Sequence, residues 1–175
     1  MIILYSGIFG LLAFVFGVGI LGLWLRNNQT KENAEKSSRI THFLFFACLV
    51  LTPGIGFFYP GITHLDEFVG FNPLSPQPLF LGVGILLIIP GLYLLTVSNK
   101  LLRAIGSGAN AFRLTKKIVE SDIYTTTRNP MSLGFYLFEL ALGLISGSTL
   151  FTLGVLFGII PAHLFFLIYF EELEL

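Results

Sequence analysis

Five apolar runs separated by polar links constrain this chain more than any other feature. They span residues 2–25, 40–59, 79–97 (extending as far as Leu102), 131–147 and 150–170. A helix that crosses a bilayer needs about 20 mainly apolar residues, and the runs meet or approach that length. Composition supports the same reading. Hydrophobic residues make up 54% of the chain and charged residues only 11%, against about 25% charged in a soluble domain. The sequence therefore predicts an all-α, polytopic integral membrane protein with about five transmembrane helices, built as a single integral membrane domain over residues 1–175. The first run has no basic segment before it and is too long for a signal-peptide core, so it reads as a retained helix.

Net charge is zero, but the charges are segregated. The link after the first run holds Arg26, Lys31, Lys36 and Arg39. The link after the third holds Lys100, Arg103, Arg113, Lys116, Lys117 and Arg128, which completes the ten basic residues of the chain. The link over 61–78, with Asp66 and Glu67, and the short turn Ser146-Gly147-Ser148 have none. Basic links stay on the cytoplasmic side. The expected topology has the N-terminus outside and the C-terminus cytoplasmic, with the link over 61–78 read as a loop. Pro53-Gly54 and Pro90-Gly91 are the expected kinks within spans.

Chemistry is expected on the cytoplasmic face. Gly106 and Gly108 form a Gly-x-Gly, where a ligand can approach the backbone without meeting a Cβ; a flexible turn is the plainer reading. The polar stretch Asp122 to Gly134 contains Tyr124, Arg128, Asn129 and Pro130. Proline suits the first turn of a helix, and Asn129 before it suits the cap. Such a helix start offers backbone N–H groups and a positive dipole end to an anion. Arg128 adds a charge suited to a carboxylate or phosphate, or anchors the helix at lipid headgroups.

Glu139 lies roughly 12 Å into the fourth run at 1.5 Å per residue. An ionisable group there is expected to face an interior or a cavity. Ser132, Tyr136, Glu139, Gly143 and Ser146 recur at steps of three and four and make one polar stripe. His163 could pair with Glu139, or either could serve as a structural contact. Glu171-Glu172 meets the unfavourable end of a helix dipole and asks for a cationic partner. The lone Cys48 excludes an intramolecular disulfide and a cysteine zinc cluster. No metal site and no nucleic-acid partner is expected.

Taken together, Tyr-x-x-x-Arg-Asn-Pro-Met-x-x-Gly, a tight hairpin and Glu-Glu resemble the membrane methyltransferases that include isoprenylcysteine carboxyl methyltransferases and phospholipid N-methyltransferases. The resemblance covers residues 106–175, a methyltransferase-like cofactor region, and leaves the first three runs without a signature. It implies that S-adenosylmethionine binds at Gly106, Gly108, Tyr124, Arg128, Asn129, Pro130, Gly134, Glu171 and Glu172. It implies methyl transfer to a lipid or lipid-modified acceptor, either an isoprenylcysteine carboxylate or a phospholipid amine. Many members carry His at the position of Asn129 and Tyr at that of Ser132, and continue past Glu-Glu with an amphipathic tail, whereas this sequence stops at Leu175.

Arg128, Asn129 and Glu139 are the expected catalytic residues, with Glu139 the candidate base for an amine acceptor. The implied location is a multi-pass place in the cytoplasmic membrane of a prokaryote or the endoplasmic reticulum of a eukaryote. Two rivals are an NADPH-dependent membrane sterol-type reductase and a non-enzymatic membrane scaffold. The topology has a direct check: a reporter fused after Leu175 should read cytoplasmic, and a lumenal or periplasmic signal would reject the five-span arrangement.

Overall fold

The computed structural model describes residues 2–51, 61–104, 122–127 and 129–166, and every regular element among them is helical. Helix α1 spans Ile2–Asn27. Thr30 then accepts a hydrogen bond from the Asn33 N–H at 3.2 Å and opens α2, Lys31–Leu44. The polar, basic link after the first run is thus largely helical, an element that the sequence reading did not assign. The cause is amphipathicity. Ala34, Ser37, Ser38 and Thr41 form a buried stripe, while Glu32, Glu35, Lys36 and Arg39 are exposed. Mean hydropathy registers the charges and misses the stripe. The exposed Glu35–Arg39 pair, 3.8 Å apart one turn along the helix, adds about 0.3–0.5 kcal/mol at most. At Phe45 the helix widens into a π-helical segment, Phe45–Leu51. The Pro53-Gly54 kink lies outside the described residues.

The link over 61–78 is also not a plain loop. It contains α3, Ile62–Val69, before α4, Gln77–Ala104. Helix α4 runs unbroken through Pro90 and beyond the apolar run into the polar link. Helix α5, Pro130–Ser146, ends at Gly147 with φ 72°. That left-handed conformation suits glycine and makes the expected tight turn. The return limb is α6, Thr149–Gly154, a second π-helical segment, Val155–Ile159, and α7, Ile160–Phe166.

The most extensive packing joins α4 to α5. The helices run antiparallel, with Gly84 beside Ala141 and Ile145, and Gly91 beside Gly134 and Phe138. Small residues repeat every seventh position on both sides, at Gly84, Gly91 and Ser98 and at Gly134 and Ala141. A Cβ at Gly134 would stand 2.9 Å from the Gly91 carbonyl oxygen, and one at Gly91 would stand 3.0 Å from the Phe138 nitrogen. The two backbones touch directly. In lipid, such small-residue packing replaces the hydrophobic effect as the force that joins helices.

The surface matches that solvent. Phe9, Phe16, Ile20, Leu86, Ile89 and Phe157 are exposed, whereas Ser37, Thr41, Ser98, Ser148 and His163 are buried. By length and composition Ile8–Asn27 and Gln77–Ala104 can each cross a membrane, and Pro130–Ser146 and Thr149–Phe165 are shorter apolar helices.

At the Gly147 end, α3 closes over the hairpin. Oδ1 of the fully buried Asp66 accepts hydrogen bonds from the Ser148 hydroxyl at 3.1 Å and the Leu150 N–H at 2.6 Å. The Thr149 hydroxyl donates to the Asn72 carbonyl at 2.6 Å, and the Leu74 N–H donates to that of Gly147 at 2.9 Å.

Gly91→Ala and Gly134→Ala should each lower stability by about 1–3 kcal/mol through overpacking. Gly82→Ala, with nothing within 4 Å of the added Cβ, should be neutral or better through helix propensity. Thermal melting of the purified protein in detergent checks the contrast. Asp66→Ala should cost about 1–3 kcal/mol in the same assay, because it leaves buried donors unpaired.

Candidate functional site

The start of α5 is built as its sequence requires. Pro130 occupies the first helical position and is fully buried. Asn129, with φ −137° and ψ 73°, caps the helix, its Oδ1 accepting from the Ser132 N–H at 3.3 Å. This narrows the expected anion site. Pro130 has no N–H and the Ser132 N–H is taken by the cap, so within the first three helical positions Met131 carries the N–H that a ligand could use. The positive end of the helix dipole is unchanged by this.

Tyr124 stands close by in sequence, in a short 3-10 turn, Asp122–Thr125, and is half-buried. That turn packs against α4. Gly134 is placed one turn into α5, with Leu94, Leu95 and Gly91 of α4 against it. Its visible role is close helix packing. Gly106, Gly108, Arg128, Glu171 and Glu172 lie outside the described residues.

Farther along α5, the polar stripe faces the return limb. Ser132 and Gly143 are buried, and Gly143 lies against Thr152 and Phe151 of α6. Glu139 is half-buried within this stripe. The hydrogen-bond neighbour seen for His163 is Tyr136, whose hydroxyl is 3.0 Å from Nδ1. Tyr136 lies one turn nearer the start of α5 than Glu139. Phe135 stacks edge-on against His163 at 5.7 Å and against Phe45 at 5.6 Å, linking the stripe to the N-terminal helices.

Sequence reasoning missed two polar groups here. Ser98 is fully buried, and neither its Oγ nor Asn99 Oδ1 has a hydrogen-bond partner. Both follow the apolar run 79–97, where the sequence turns polar. Their signal is the heptad of small residues that runs past the end of the apolar run to Ser98.

An all-helical protein with apolar helices and a polar, asparagine-capped helix start at one end of a tightly packed helix pair is the class the fold defines. Residues 79–175, more than half of the chain, match the phospholipid methyltransferase family, and the chain belongs to that family. No curated protein and no solved structure matches it. The family and the apolar helices together make this a membrane protein.

The Tyr136–His163 contact is testable by a double-mutant cycle. Tyr136→Phe with His163→Ala should show a coupling of about 0.5–1.5 kcal/mol in thermal or denaturant stability. Glu139→Gln with His163→Ala should be additive to within about 0.5 kcal/mol.

Proposed function

We propose that the protein transfers a methyl group from S-adenosylmethionine to a lipid or lipid-modified acceptor at the membrane face where α5 begins. The family match over residues 79–175 carries this reading. The local structure supports it. A capped helix start, a half-buried tyrosine and buried polar atoms without partners stand at one end of an apolar helix pair. That set suits a polar ligand held beside a lipid chain, and S-adenosylmethionine, when bound, supplies an electrophilic methyl group on a sulfonium centre.

The chain's own residues then have assigned tasks. Tyr124, Asn129 and Pro130 shape the start of α5, and Gly134 lets that start lie tight against α4. Gly106 and Gly108 give the donor close backbone approach. Glu171 and Glu172 pair with its ammonium group, while Arg128 holds a carboxylate. The apolar outer faces admit the acceptor's lipid tail from the bilayer. The acceptor's chemistry decides what else is needed. A carboxylate acceptor is already ionised and needs orientation by Arg128. An amine must lose a proton, and Glu139 is the base placed to take it. The basic residues of the link before α5 support a cytoplasmic position for this face.

Purified full-length protein in nanodiscs should bind S-adenosylmethionine saturably, with affinity reduced about 10- to 100-fold by Glu171→Ala or Glu172→Ala. Binding of NADPH instead would favour the reductase, and binding of neither the scaffold. With turnover in hand, Glu139→Gln should spare a carboxylate acceptor and depress turnover of an amine acceptor by about 10²-fold or more. Undiminished amine methylation would remove Glu139 as the base.

A further inference from the structure

The family match and the sequence motifs assign no role to Ser98 and Asn99, yet the structure leaves both with unmet hydrogen bonds. Ser98 has no exposed surface and its Oγ has no partner. Asn99 is half-buried, and its Oδ1 is a second buried acceptor without a partner. Burying an unsatisfied polar atom costs about 1–3 kcal/mol, so each needs an explanation. Helix packing accounts for part of the case. Ser98 continues the small-residue heptad of Gly84 and Gly91, and its size suits a close contact. Alanine would serve that purpose without a hydroxyl, and packing gives no reason for a carboxamide at position 99.

Register shows where the two groups lie. Leu94 and Leu95 both meet Gly134. Ser98 and Asn99 are four residues farther along α4, one turn toward the start of α5. One turn back from Gly134 on the antiparallel α5 is Pro130. The full burial of Pro130 agrees with this placement. Ser98 and Asn99 therefore belong to the same level as Asn129 and the start of α5, and the turn that carries Tyr124 also packs on α4.

At this level Ser98, Asn99, Tyr124, Asn129 and Ser132 are uncharged, and the turn that carries Tyr124 begins at Asp122. Lys100 and Arg103 on the same helix are exposed. A neutral set with an unmet carbonyl acceptor and an unmet hydroxyl suits neutral donors such as sugar hydroxyls or an exocyclic amine. It suits an ammonium poorly, because the positive end of α5 lies beside it. We propose that Ser98 and Asn99 hold the uncharged nucleoside half of the methyl donor, leaving its charged amino-acid end to the charged residues of the site. This rests on the methyl-transfer reading above.

The test compares two ligands on the full-length protein in nanodiscs. S-adenosylhomocysteine carries nucleoside and amino-acid end together, and 5′-methylthioadenosine carries the nucleoside without the amino-acid end. Ser98→Ala and Asn99→Leu should weaken both ligands by a similar factor, about tenfold or more. Glu171→Ala should weaken S-adenosylhomocysteine alone. Melting without ligand should be unchanged or higher in Ser98→Ala and Asn99→Leu, because an unpaired polar atom has been removed. Retained affinity for both ligands, loss confined to S-adenosylhomocysteine, or a drop in unliganded melting would each overturn the assignment. Wild-type protein that binds neither ligand would instead reject the methyl-donor reading and this proposal with it.

Discussion

The rest of the structure depends on the bare-backbone contact between Gly91 and Gly134. Two helices in lipid gain nothing by hiding apolar side chains from a solvent that is equally apolar. What they can gain is close van der Waals contact, which requires that no Cβ intervene. A Cβ at Gly134 would stand 2.9 Å from the Gly91 carbonyl oxygen, and the same crowding recurs at Gly84. The seven-residue spacing keeps that contact in line along α4 and α5. It brings Ser98 and Asn99 to the start of α5, and Gln77 to the Gly147 turn, where its Nε2 donates to the Ile145 carbonyl at 3.3 Å.

The two ends of this pair are finished differently. At the Gly147 end, Asp66 meets donors of the hairpin and α3 closes the turn. At the other end, a proline-started helix is capped by Asn129, and buried acceptors are left without partners. The hairpin end is closed by donors to Asp66 Oδ1, although Asp66 Oδ2 stays buried without a partner, and the other end keeps Ser98 Oγ and Asn99 Oδ1 unpaired. The N-terminal helices brace the assembly from the side through the edge-to-face series Phe14, Phe45, Phe135 and His163. Those helices lie outside the family match, yet they reach the polar stripe through Phe45 and then Phe135, which stands against Tyr136.

The apolar helices were legible because mean hydropathy reports them directly. The cap at Asn129-Pro130 and the glycine turn at Gly147 were legible because each is a local rule of backbone geometry. Helix α2 was not, since its buried face is made of Ala34, Ser37 and Thr41, which look polar in a window average. Helix α3 was short enough to pass for a loop. The contact of His163 with Tyr136 was not legible, since pairing across the hairpin depends on how the return limb, with its π-helical segment, is registered against α5. Gly134 carried a motif assignment, but its packing partner sits in a different run.

By itself, the sequence determined a helical membrane protein, the segregation of its basic links, the capped start of α5 and the methyltransferase resemblance. These are local or summed properties, and they survive without knowing which segments touch. Tertiary structure alone decided that Gly91 meets Gly134, that Asp66 closes the hairpin, that Tyr136 meets His163 and that Ser98 and Asn99 are buried without partners. Each of these joins residues far apart in the chain, or records that no partner is within reach. Their geometry depends on helix register, which a single sequence does not encode locally.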